Sequence, residues 1–150
     1  FLAAFLMLTL SADNGPWRVF VFILLTVSND IGGYAVGVFF GKHAIAPQIS
    51  PKKSWEGLFG SVVLQSIVGI VAFIYIFDAP WWQGLIAGVV LTVSATGGDF
   101  IESAVKRDLG VKDMGTIVPG HGGIMDRLDS LIPNAFVTWV LFSIFLGSGA

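Results

Sequence analysis

Apolar stretches of bilayer-crossing length recur through this chain, and no other feature limits its fold as tightly. Four complete ones lie at residues 17–41, 58–77, 82–98 and 131–147, and a spanning α-helix needs about 20 such residues. A shorter apolar run at 1–10 reads as the end of an earlier span. The fold class expected is all-α: a polytopic transmembrane helix bundle with a polar site at its cytoplasmic face. Charge content supports this over a soluble fold. Charged residues make up 12% of the chain and hydrophobic ones 55%, with a mean hydropathy of +0.83, whereas soluble domains carry about 25% charged residues. Cysteine is absent, which excludes disulfides, thiolate metal sites and cysteine nucleophiles.

The polar connectors between spans set an orientation. Residues 11–16 and 78–81 fall on one side, with Trp81 and Trp82 as interfacial aromatics. Residues 42–57 and the long stretch 99–130 fall on the other. Of the eight Lys and Arg residues, only Arg18 lies on the first side. The positive-inside rule makes the second side cytoplasmic.

Most of the charge of that side is concentrated between Ser103 and Asp129. If the helix begun at Trp82 continues through Arg107, Asp99, Glu102, Ser103 and Lys106 share one face at i, i+3, i+4 and i+7. Asp126 and Asp129 are again three apart, at the start of the last span, where Asp129 can also cap a helix. Paired carboxylates without a histidine or cysteine cluster suit Mg²⁺ rather than Zn²⁺. Lys106, Arg107, Lys112 and Arg127 supply cations of the kind that neutralise phosphate oxygens. The alternative is an ordinary charged loop with surface ion pairs. Pro119, Gly120, His121, Gly122 and Gly123 argue against it, because a glycine-rich turn lets backbone approach a ligand. His121 is a candidate general base or phosphate donor, with a structural hydrogen bond as the competing role.

Two further constellations stand apart in sequence. The segment 49–57 carries Ser50, Lys52 and Lys53 on the cytoplasmic side, as a binding element or as anchors to an anionic leaflet. Asp30 lies near the middle of an apolar span, where a carboxylate costs about 2.5 to 3.5 kcal/mol on insertion scales and therefore needs a partner or a task. A helix–helix polar contact aided by Gly32, Gly33 and Gly37 is the alternative.

The ordered set Ser103, Lys106, Arg107, Lys112, Asp113, Gly115, Pro119, His121, Gly122, Gly123, Asp126, Arg127 and Asp129 resembles the defining motif of the phosphatidate cytidylyltransferases, or CDP-diacylglycerol synthases. The flanking Gly98 to Glu102, the 50–57 segment and Asn29-Asp30 with Tyr34 resemble the family's pattern as well. The likeness covers nearly the whole chain, which corresponds to the family's carboxy-terminal membrane portion. The resemblance implies transfer of the cytidylyl group of CTP to phosphatidic acid, giving CDP-diacylglycerol and pyrophosphate with Mg²⁺. It implies Asp99 and Asp126 as metal ligands, supported by Glu102, Asp129 and Asp30. Lys106, Arg107, Lys112, His121 and Arg127 would act on the phosphates, and Ser50, Lys52, Lys53, Ser103, Gly122 and Gly123 would complete the nucleotide site. It further implies a bacterial inner membrane, with a homodimer as the candidate assembly and no nucleic-acid partner. Rival readings are a CTP-dependent polyprenol kinase, an ether-lipid cytidylyltransferase and, from another class, an ion-coupled transporter using Asp30.

Overall fold

The computed structural model describes residues 2–48, 50–108, 110 and 131–147. In chain order these form α1 (Leu2–Ser11), α2 (Gly15–Phe40), β1 (Ala44–Ala46), β2 (Ser50–Ser54), α3 (Trp55–Tyr75), α4 (Trp81–Asp108) and α5 (Leu131–Leu146). The protein is a helix bundle in which α2, α3 and α4 are each long and apolar enough to cross a membrane. The shorter α5 is apolar too. One element lies outside the sequence reading. The connector 42–57 contains a small antiparallel hairpin, in which Ala44 pairs with Ser54 and Ala46 with Ser50 across an irregularity. Strands this short carry too little alternation to be seen as strands in sequence.

Local chemistry fixes the helix boundaries. Pro16 occupies the first turn of α2, where its missing N–H removes no helical hydrogen bond. Ser54 caps α3, its hydroxyl accepting from the Gly57 N–H at 3.1 Å. Lys106 and Arg107 sit in the last turn of α4, where cations complement the helix dipole. Between α3 and α4, Asp78 takes a left-handed φ of 51°, a conformation that Asp and Asn adopt more readily than other non-glycine residues.

Lipid gives apolar helices no reason to exchange tail contacts for one another, so association depends on close packing and interhelical hydrogen bonds. Both occur along α3, which lies antiparallel between α2 and α4. On the α2 side, a Cβ added to Gly32 would stand 2.7 Å from the Gly60 carbonyl oxygen. On the α4 side, a Cβ on Gly69 would stand 2.5 Å from the Gly84 carbonyl oxygen, and one on Gly88 would stand 2.7 Å from the Ser66 Cα. Only glycine permits either approach. Between these contacts the Thr92 hydroxyl donates to Gln65 Oε1 at 2.6 Å, with both residues fully buried. The α3–α4 register carries about the last two turns of α4, on the order of 12 Å of helix, past the start of α3.

The two ends of the bundle differ in construction. Where α3 turns into α4, Phe73 meets Phe77, Phe142 and Phe145 edge-on, and Trp82 meets Phe145 at 5.8 Å. Arg18 is buried at this end. Its guanidinium donates to the Leu146 and Gly147 carbonyl oxygens at 3.2 and 2.9 Å, closing the carboxy-terminal end of α5. The hairpin and the far end of α4 stand at the opposite end.

Candidate active site

A cavity of about 230 Å³ opens at the hairpin end. From α2 it is lined by Asp30 and Tyr34, from α3 by Ser61, from α4 by Thr96 and Asp99, and from β2 by Lys53. Asp30 and Tyr34 are exposed on α2 as well as lining the cavity.

The hairpin is secured at its base. The His43 backbone N–H donates to Glu56 Oε2 at 3.3 Å, and its Nδ1 lies 2.7 Å from Glu56 Oε1. The Trp55 N–H donates to the His43 carbonyl oxygen at 3.0 Å. These contacts fix the end of β2 against the start of α3, and Lys53 projects from that fixed point. Its ammonium pairs with the Asp99 carboxylate, 46 residues away in sequence, and lies 5.1 Å from the centre of the neighbouring Phe100 ring. The geometry suits a cation–π contact.

The helix begun at Trp81 does run unbroken through Asp108, so Asp99, Glu102, Ser103 and Lys106 follow one another along a continuous α4. Their surroundings nevertheless differ. Asp99 faces the cavity, whereas Glu102 pairs with Lys106 within the helix, and neither is among the described residues lining the cavity. Ser103 is half-buried one turn beyond Asp99, and Arg107 is exposed. Ser50 and Lys52 fall on β2 beside Lys53. Lys112, His121, Gly122, Gly123, Asp126, Arg127 and Asp129 lie outside the described residues.

Ser61 and Thr96 line the cavity without having been singled out in the sequence. Ser61 donates to the Asn29 carbonyl oxygen at 2.7 Å and ties α3 to α2 at the cavity floor. Asn29 lines the cavity too, and its amide nitrogen lies 3.5 Å from Asp30 Oδ1. Small polar residues in an apolar helix resemble ordinary helix–helix contacts, which is why they carry little signal alone.

The fold and the cavity define a polytopic membrane protein with a carboxylate- and ammonium-lined site at one end of its bundle. The model of the Cytidylyltransferase family matches residues 1–145, and the chain belongs to that family. It is 46% identical over 142 residues to the phosphatidate cytidylyltransferase of Mycobacterium leprae (strain TN), covering 95% of this chain and 46% of the relative. The Mycobacterium tuberculosis (strain H37Rv) enzyme of the same name is 45% identical over 132 residues, covering 88% of this chain and 40% of the relative. That of Staphylococcus saprophyticus is 44% identical over 100 residues, covering 66% and 38%. The chain thus spans less than half the length of these curated relatives.

Proposed function

We propose that the protein transfers the cytidylyl group of CTP to phosphatidic acid, giving CDP-diacylglycerol and pyrophosphate, with the reaction at the cytoplasmic face. The observation that carries this reading is the meeting of Asp30, Asp99 and Lys53 in one cavity at the hairpin end of the bundle, with Asp30 and Tyr34 exposed on α2. We read the exposed side of α2 as the approach for a bilayer-held lipid phosphate and the hairpin end as that for a water-soluble nucleotide. In the reaction the lipid phosphate oxygen attacks the α-phosphorus of CTP and pyrophosphate leaves in line, which asks for positioning and charge neutralisation rather than a protein nucleophile.

The lining residues fit Mg²⁺. Asp99 and Asp30 offer hard carboxylate oxygens to one cavity. Among the described residues no group of three or more His, Cys, Asp or Glu is gathered to hold a metal unaided. Mg²⁺ keeps several waters and takes substrate phosphates as ligands, so the carboxylates need only complete its shell. Asp99 and Asp30 would hold it together with Asp126, with Glu102 and Asp129 in support. The ion supplies neutralisation of the triphosphate charge. Lys53 reaches the cavity to contact phosphate, and Lys106, Arg107, Lys112, His121 and Arg127, with Ser50, Lys52, Ser103, Gly122 and Gly123, complete the anion site.

Incubating membranes that contain the protein with labelled CTP, phosphatidic acid and Mg²⁺ tests the reading. A labelled, chloroform-soluble liponucleotide is expected. Ion transport without that product would favour a transporter instead.

A further inference from the structure

The two lysine–carboxylate pairs near the site are built differently. Lys106 and Glu102 belong to the same helix, and their side chains are 17% and 9% exposed. Lys53 and Asp99 come from separate elements, with side chains 31% and 37% exposed at the mouth of the cavity. The first pair is fixed by its own helix and shielded. The second is open to whatever enters, and a partly exposed ion pair contributes little net stability, so parting it costs little.

We propose that Lys53 is an exchangeable counter-ion: it neutralises Asp99 when that carboxylate has no other cation, and turns to a phosphate oxygen when Asp99 coordinates a divalent ion. The inference rests on the assignment of Asp99 as a metal ligand made above. Two cations on one carboxylate repel each other, so coordination at Asp99 displaces the ammonium. The displaced group does not go far. The backbone of Lys53 is anchored through the Ser54 cap and the Trp55-to-His43 hydrogen bond, so the ammonium moves by side-chain rotation alone. The Phe100 ring offers it a face beside the carboxylate it leaves. A lysine, a compact charge on a flexible stem, suits this movement better than the planar fork of arginine. Lys53 therefore acts twice: it pairs with and orients Asp99 when no other cation is bound there, and it meets the nucleotide phosphates when a divalent ion takes its place.

Mn²⁺ titration followed by electron paramagnetic resonance, on the purified protein in lipid nanodiscs, tests the exchange without relying on turnover. Asp99→Asn is expected to weaken Mn²⁺ binding by about tenfold or more. Lys53→Met is expected to tighten it by about two- to fivefold in the absence of nucleotide, because a competing cation is gone. Lys53→Gln should behave likewise and serves if the methionine variant does not fold, while Lys53→Arg, whose planar fork holds a carboxylate more firmly, should bind Mn²⁺ no more tightly than wild type. At saturating Mg²⁺, Lys53→Met should raise the KM for CTP more than it lowers kcat. If Asp99→Asn weakens Mn²⁺ binding while the uncharged Lys53 variants bind it as wild type or more weakly, the exchange is overturned and the metal assignment stands. Unchanged Mn²⁺ binding in Asp99→Asn would overturn both.

Discussion

The two ends of this bundle treat buried charge in opposite ways. At the α3–α4 turn end, Arg18 is consumed by backbone: its guanidinium is spent on the Leu146 and Gly147 carbonyl oxygens, within a layer of edge-on aromatic rings. At the hairpin end, Asp99 and Lys53 are partnered with each other across a cavity and remain partly open. A buried cation held by carbonyl groups cannot readily change partners. A lysine–carboxylate pair at a cavity mouth can. One end is therefore built for stability and the other for exchange, and substitutions at the two ends should be separable in what they damage.

The largest effect should come from Asp99→Asn. Lipid product formation is expected to fall by on the order of 10²-fold or more, with the amount of folded protein in the membrane unchanged. Near-normal turnover would remove Asp99 from the metal site. Arg18→Met should do the reverse, lowering unfolding free energy by about 2 to 3 kcal/mol through lost charged hydrogen bonds, with product formed per folded molecule retained. If its specific activity fell as far as that of Asp99→Asn, the separation between the ends would be broken. Gly84→Val, which drives a side chain into the Gly69 backbone, should cost about 1 to 3 kcal/mol in the same unfolding measurement. The smallest change should follow Thr92→Val, which removes the hydrogen bond to Gln65. About 0.6 kcal/mol is the usual value for an interhelical contact in a membrane, and a loss of several times that would make this buried pair a principal clamp between α3 and α4.

Legibility in sequence followed the range of the interaction. Span-length apolar runs announced the long helices, because hydropathy is a local property. The helical spacing of Asp99, Glu102, Ser103 and Lys106 anticipated a continuous α4. It did not show that Glu102 turns to Lys106 while Asp99 turns to Lys53, since the second choice depends on where a hairpin 46 residues earlier sets its lysine. The same limit hid Ser61 and Thr96, ordinary small polar residues until packing sets them around a cavity. Asp30 was conspicuous for the opposite reason, as an ionisable group in an apolar run demands explanation wherever the neighbours lie.

The glycine contacts along α3 carry one more implication. The helix is drawn against α2 through Gly32 and Gly60 at the cavity end, and against α4 through Gly69 and Gly84 at the other. It works as the common jaw of a caliper. The gap between Leu58 on α3 and Thr96 on α4 is set partly by a joint far below it, made of residues that never touch what the gap contains. Evolution could therefore retune the bore by altering bulk at that distant joint, leaving every charge around the opening in place.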